Sequence, residues 1–322
     1  MRVLMASVVA LLLTSSASAE QRYAVLLSGA SGGPEYAARL AEWRSALRTA
    51  LVDRYGFPAE NVRVLVDETE KTGERGTAAN VKAVFADLRK RLQREDLVLL
   101  VMLGHGTYDG ETAKFNLIGP DMTAQQWAAL LKDLPGHLVV VNTTAASFPF
   151  LQELSGPNRV VITATDSPAQ KYATVFPEYF VKALQEASSD LDKNGRTSIF
   201  EVFMAASQEV KRHYEQRAQL RTEHPVLDDN GDKVGRRADV EGPDGGMARL
   251  LYLDVELPAA ANNPELAALL QRRRELEAAA EALKARKGTM ADATWEAEYE
   301  KLMLELARLS LEIKQKGGQH QQ

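Results

Sequence analysis

Three groups of residues combine reactive side-chain types with a spacing that chemistry could use. The first is Gly104-His105-Gly106, which closes the apolar run Leu97–Leu103. An imidazole titrates near neutral pH and can act as a general base. Glycines beside it let the backbone turn sharply and a substrate come close. The second group, Thr143-Thr144-Ala145-Ala146-Ser147, closes the apolar run His137–Asn142. It offers hydroxyls as nucleophiles and no thiol, because the chain contains no cysteine. Two buried strands that each stop at a polar tip are the layout of a site at the carboxyl edge of a parallel sheet.

The third group is Asp190-Leu-Asp192-Lys-Asn194-Gly195-Arg196-Thr197-Ser198-Ile-Phe-Glu201. It follows the twelve-residue calcium loop, with side-chain oxygens from Asp190, Asp192, Asn194, Ser198 and Glu201 and the carbonyl of Arg196. Alternate residues of a tight loop point inward, Gly195 takes the sharp turn, and Glu201 arrives on the next helix to chelate through two oxygens. Thr197 departs from the pattern, since an apolar residue usually packs there. A lone site of this kind binds Ca2+ at about 10⁻⁴–10⁻³ M, which suits a structural role in a calcium-rich exterior. Asp228-Asp229-Asn230-Gly231-Asp232 is also acidic, but it lacks the glycine and the terminal glutamate at the right offsets and reads as an Asx-type turn. His213 and His224 have no second histidine at ligand spacing, so they read as solvent-facing and no zinc site is expected.

The elements that must position these groups alternate. Short apolar runs at Tyr23–Leu27, Val62–Val66, Leu97–Leu103, Leu138–Val141 and Arg159–Thr165 read as strands buried on both faces. Between them, helical spacing runs over Glu35–Tyr55, Thr77–Leu92, Thr123–Leu134, Phe148–Leu154, Pro177–Ala187 and Ile199–Leu220. Thr77 is the expected N-cap of its helix. This alternation predicts an α/β fold, a three-layer sandwich around a mainly parallel sheet. Leu250–Glu256 reads as a late edge strand, reached through a long polar link from Arg221 to Ala248. Pro258–Asn263 is a linker. Two matched helical stretches follow, Pro264–Arg286 and Asp292–Gln315, the second with Trp295, Tyr299, Leu302, Leu306, Leu309 and Ile313 at three-four spacing. They predict an antiparallel helical hairpin, with Arg273 interrupting the apolar series of the first and a disordered tail at 317–322.

The order and spacing of the two tips resemble the legumain/caspase-like cysteine peptidases. In that family a strand ends in His-Gly, and the next core strand ends in an Ala-Cys tip followed by a Ser-Gly turn. Leu103-Gly104-His105-Gly106 matches the first tip, and Val139-Val-Val-Asn142-Thr143-Thr144-Ala145-Ala146-Ser147 the second. Gly156-Pro-Asn-Arg-Val-Val-Ile-Thr-Ala-Thr165, the Asp-Lys-Asn-Gly loop and Thr222-Glu223-His224 through Asp232 also look like bacterial members. The resemblance covers roughly residues 22–256. It implies a caspase-like sheet, His105 and Gly106 at the catalytic edge, and Thr144 at the position of the missing cysteine.

An internal threonine hydroxyl is far less acidic than a thiol, and nothing near it suggests compensation. The resemblance therefore implies a pseudo-peptidase that binds a peptide or protein partner at the old cleft. The competing expectation is an active hydrolase using Thr144 or Ser147 with His105 as base. A purely structural reading makes the helical hairpin the working part. Asp166 and Ser167 at the next strand tip could line the same cleft. Asn142-Thr143-Thr144 spells a glycosylation acceptor, but the end of a buried strand is a poor place for it.

Composition bounds these readings. Arg2, the apolar stretch Val3–Leu13 and Ala17-Ser18-Ala19 read as a signal peptide over 1–19, so the expected chain is exported, periplasmic or secreted, and begins at Glu20. That leaves an α/β domain over 20–257 and a linker, hairpin and tail over 258–322. No other stretch is apolar enough to span a bilayer. The formal charge is −5, or −6 without Arg2, which gives no electrostatic case for nucleic acid. An exported chain without cysteine has no disulfide framework, so its stability must come from a core.

Overall fold

The computed structural model describes residues 20–67, 70–71, 73–254 and 263–318. The expected leader at 1–19, most of the linker and the last four residues of the tail lie outside them. The chain opens with β1 (Arg22–Ser28), α1 (Pro34–Thr49), β2 (Val62–Val66), a two-residue β3 (Glu74–Arg75) and α2 (Ala78–Arg91). β4 (Leu97–Leu103) ends at the histidine tip. A small antiparallel sheet of β5 (Gly106–Tyr108), β6 (Ala113–Phe115) and β7 (Met122–Thr123) follows and leads into α3 (Ala124–Leu131). Then come β8 (His137–Asn142), α4 (Phe148–Leu154), β9 (Arg159–Thr163), α5 (Phe176–Gln185) and α6 (Ile199–Gln216).

The main sheet runs β3-β2-β1-β4-β8-β9 with all neighbours parallel. Two short antiparallel strands extend it, β10 (Val226–Asp228) on β9 and β11 (Arg236–Arg237) on β10. Alternation along the strands divides the core. Ala24, Leu26, Leu99, Val101, Val139, Val141 and Ile162 face α1, α5 and α6. Their neighbours Val25, Leu27, Leu100, Met102, Val140 and Val161 face α2, α3 and α4. Two covered faces explain why these strands read as continuous apolar runs. The helix starts are specified locally. Thr77 accepts from Asn80 N, and Thr123 and Ser198 form reciprocal capping boxes with Gln126 and Glu201.

The long polar link from Arg221 to Ala248 contains β10 and β11. The structure corrects two expectations. The expected edge strand over Leu250–Glu256 does not form among its described residues, 250–254. Its start closes α7 (Gly246–Leu250), and only the isolated bridge Ser198–Tyr252 pairs it within the described residues. The two histidines read as solvent-facing are half-buried and partnered: His213 Nδ1 lies 2.8 Å from the Tyr179 hydroxyl, and His224 Nδ1 lies 3.3 Å from Gln170 Nε2.

The helical hairpin is α8 (Pro264–Ala285) and α9 (Asp292–Gly318), which carries on past the expected end of order at 317. Leu266, Leu270, Leu276, Leu309 and Ile313 form its own small core. Arg273 interrupts the apolar series and lies 3.7 Å from Glu277. Trp295 stacks on Tyr299 and donates Nε1–H to Leu283 O at 2.8 Å. The hairpin meets the α/β body through Arg196–Glu277 at 3.4 Å and Arg249–Glu281 at 3.7 Å. No helix among the described residues is long and apolar enough to cross a membrane.

Candidate active site

β4 and β8 are hydrogen-bonded neighbours with Met102 level with Asn142, so the two tips leave the sheet side by side. Thr143 extends the ladder, giving both its N–H and its hydroxyl to Met102 O. Immediately beyond, the His105–Gly106 turn lies against the end of β8. A Cβ on Gly106 would fall 2.4 Å from Ala145 O and 2.5 Å from Thr144 Oγ1. The imidazole and the hydroxyl therefore leave adjacent backbones at one mouth.

Their hydrogen bonds do not connect. His105 is half-buried, its Nε2 donates to Ser31 O at 2.9 Å, and Tyr36 packs edge-on against the ring at 4.8 Å. Donation from Nε2 leaves Nδ1 as the basic nitrogen. Thr144 is fully buried, and its Oγ1 lies 2.8 Å from Asn142 Oδ1 and 3.1 Å from Ala145 O. The single hydroxyl hydrogen is thus held by acceptors on its own turn. No hydrogen bond joins Thr144 to His105 among the described residues.

Ser147 is no better placed to attack. It is fully buried, and its hydroxyl pairs with that of Thr165 at 3.0 Å, while each backbone N–H bonds the other residue's oxygen. Hydrolysis of an acyl group also needs free N–H donors for the developing oxyanion. Thr144 N is held by Asn142 Oδ1, Ala146 N by Gln170 O, and Ser147 N by Thr165 Oγ1. Ala146 sits at φ +51°, a left-handed conformation uncommon for alanine. The segment 166–174 crosses this turn, with Gln170 on Ala146 and Thr174 on Thr143 O at 2.6 Å. Asn142, read as a glycosylation acceptor, is fully buried.

Asp166 and Ser167 turn elsewhere. Asp166 is bound by the Arg237 guanidinium of β11 and lies 3.8 Å from His224. Ser167 Oγ accepts Ala169 N in a local turn. Burial, reinforced by Arg221 and Arg237, holds the His224 imidazole below the ordinary histidine range, which favours its neutral form. Glu223 beside it enters the sequence reading only through the family resemblance. It is buried, and both its oxygens accept Val175 N at the start of α5. Burial pushes its carboxyl up to about 7 against that N–H bonding. Arg44 was missed. It is buried on α1, donates to Ser28 Oγ at the end of β1 at 2.5 Å, and pairs with Asp67 and Glu70 just beyond β2. A basic residue between Leu40 and Leu47 on an apolar face was the available signal.

The acidic loop between α5 and α6 brings carboxylate oxygens of Asp190, Asp192 and Glu201 within 4.8 Å of one another. Asp190 accepts Asn194 N and Gly195 N, Asp192 accepts Asn194 N, and Asn194 accepts Arg196 N. Glu201 folds back over the loop, taking Leu191 N and Asp192 N on one oxygen and Ser198 N and Oγ on the other. No basic side chain pairs with the three carboxylates among the described residues. Burial, with Glu201 and Asp190 close by, pushes Asp192 up to about 6. A hard donor set with uncompensated negative charge fits Ca2+. Arg196 turns its guanidinium away, onto the Tyr252 ring and Glu277.

The segment 228–232 forms the expected Asx-type turn, with Asp228 accepting Gly231 N and Lys233 N. Its backbone nevertheless parallels the first loop. Lys193 and Gly195 have φ +59° and +83°, and Gly231 and Lys233 have φ +81° and +69°. Asp244, distant in sequence, brings a carboxylate oxygen within 4.8 Å of those of Asp228 and Asp232.

No protein-family model matches the chain. Among curated proteins it is similar to metacaspase-4 of Arabidopsis thaliana, 39% identical over 57 residues, and to metacaspase-6 of the same plant, 34% identical over 61. These stretches are 18% and 19% of this chain but only 13% and 16% of the metacaspases, so the chain spans a small fraction of the relatives it matches. Among solved structures, protein GSU0716 from Geobacter sulfurreducens aligns with 67% of this chain and 97% of its own, at TM-score 0.44 and 13% identity. Caspase-1 from Spodoptera frugiperda aligns with 65% of this chain and 86% of its own, at TM-score 0.42 and 9% identity. The metacaspase stretches, beside a parallel sheet that brings His105 and Thr144 to one edge, support a caspase-like peptidase fold for the α/β part of this chain.

Proposed function

We propose that the protein is an exported caspase-like pseudo-peptidase, which holds a peptide or protein partner at the sheet edge without cleaving it. The observation that carries this reading is the state of the Thr144 hydroxyl, which is buried, bonded to Asn142 and Ala145, and not bonded to His105. A hydroxyl becomes a nucleophile only when a placed base takes its hydrogen. The committed N–H groups of Thr144, Ala146 and Ser147 support the same reading, and the mutual bond of Ser147 and Thr165 speaks against Ser147 as an alternative nucleophile. The leader read at 1–19 supports export. A panel of fluorogenic peptides tests the proposal. Wild type is expected to give no turnover beyond that of His105→Ala, and Thr144→Cys to stay inactive. Wild-type turnover that disappears in His105→Ala sinks the pseudo-peptidase reading.

We propose in addition that the loop Asp190–Glu201 takes a structural Ca2+, with Asp190, Asp192, Asn194, Ser198 and Glu201 as side-chain ligands and the carbonyl of Arg196. Glu201 would exchange its N–H partners for the ion. Binding only the folded state at a Kd of 10⁻⁴–10⁻³ M, 10 mM Ca2+ adds about 1.4–2.7 kcal/mol. Calorimetry is expected to show Tm rising by a few degrees with Ca2+ in wild type and not in Asp192→Asn. Equal shifts in the two proteins, or none in wild type, remove the site.

A further inference from the structure

We propose that α9 pairs with α9 of a second copy of this chain, antiparallel, about a two-fold axis at Leu304. One side of α9 is already covered. Leu309 and Ile313 are buried in the hairpin core, with Leu302 and Leu306 packed against it. The opposite side carries Ala297, Leu304 and Leu311 at seven-residue spacing, and all three are exposed. Leu304 and Leu311 leave 52% and 58% of their surface in water. Single exposed leucines are ordinary, but a row that repeats every seven residues on one helix is a seam. Ala297 and Leu304 share a shallow exposed patch with Glu300, Lys301, Glu305 and Arg308, while Leu311 sits where this side meets the cleft between the hairpin and the α/β body.

The charges indicate what covers the seam. The first half of α9 carries Asp292, Glu296, Glu298 and Glu300 against Lys301 alone. The second half carries Arg308, Lys314 and Lys316 against Glu305 and Glu312. Antiparallel self-pairing sets each acidic half on a basic half, and it opposes the helix dipoles favourably. Leu304 then meets its own copy, Ala297 lies level with Leu311, and Glu300 lies level with Arg308. Parallel pairing would set like charge on like. Among the described residues the ion pairs of α9 are Glu305–Arg272, Lys316–Glu265 and Lys316–Glu312, so Glu300, Lys301 and Arg308 are left for a partner. The contact is isologous and closes at two copies. One pair of helices covers less than the roughly 1,200–2,000 Å² of a stable interface, so the dimer is weak and concentration-dependent.

The absence of cysteine makes the test clean, because an introduced thiol is the only one. In the full chain from Glu20, Leu304→Cys is expected to form a disulfide-linked dimer under mild oxidation. Ala297→Cys alone is expected to stay monomeric, because its two copies would lie about 21 Å apart along the pair. Mixing Ala297→Cys with Leu311→Cys chains is expected to restore the cross-link. Sedimentation should show the wild-type mass rising towards twice the monomer with concentration, and association at least tenfold weaker in Leu304→Lys. The proposal is overturned if Leu304→Cys does not cross-link at high concentration, if Ala297→Cys alone cross-links as well, or if Leu304→Lys associates like wild type.

Discussion

Gly106→Ala is expected to destabilise the protein by about 1–3 kcal/mol, the usual cost of forcing extra volume into a packed region. The added carbon would meet Ala145 O at 2.4 Å and Thr144 Oγ1 at 2.5 Å. The carbonyl is main chain, and the hydroxyl belongs to a fully buried side chain, so neither can swing aside. The strand tips would have to part, and the bonds that Thr144 makes to Asn142 would part with them. Urea unfolding measures the loss. Gly246→Ala is the control, since a Cβ there meets nothing within 4 Å and the residue lies in α7. A Gly106→Ala midpoint close to that of wild type would mean that the histidine turn does not rest on the end of β8. The shared mouth would then be lost from the account.

Glu223 should give the largest pH effect. Its carboxyl ionises at about 7 in the folded protein, against the ordinary 4.5, because burial disfavours the anion more than the start of α5 rewards it. The folded state therefore binds the proton more tightly than the unfolded chain. This stabilisation is full below about pH 4.5 and is lost as pH rises to about 7, a difference of up to about 3 kcal/mol. Glu223→Gln keeps an acceptor for Val175 N and has no charge to bury. It is expected to raise Tm at pH 8, to change little at pH 5, and to flatten the fall in stability between them. A mutant that is less stable than wild type at pH 8 would show that the carboxylate is a net asset to α5.

Much of the sheet was legible because both its faces are covered. Runs such as Leu97–Leu103 then carry no polar interruption, and order along the chain supplies the crossovers. Helix starts were legible where a hydroxyl caps them, as at Thr77. β10 and β11 were not, because three and two residues cannot display a period, and their pairing with β9 is decided by tertiary contact. Leu250–Glu256 misled for the opposite reason. Leu251, Tyr252 and Leu253 are buried, the two leucines in the core that also holds α6 residues, which produces the composition of a strand without its ladder.

The site divides in the same way. That His105 and Thr144 should meet followed from strand order, but the direction of the Thr144 hydroxyl did not. It is set by the amide of Asn142 two residues earlier, a contact that no spacing encodes. The second acidic cluster was hidden twice over. Lys233 takes a left-handed turn where glycine is the usual sign, and Asp244 arrives from a distant segment.

Arg22 opens the first strand with its side chain buried and its guanidinium on the carbonyl of Tyr252, 230 residues later. A ribosome delivers those two partners far apart in time. Until the later one emerges, the strand that stands third from the β3 edge of the finished sheet lacks this acceptor, although Glu20 lies 3.5 Å from the same guanidinium. The contact that closes over the start of β1 therefore forms only when almost the whole α/β body has been made.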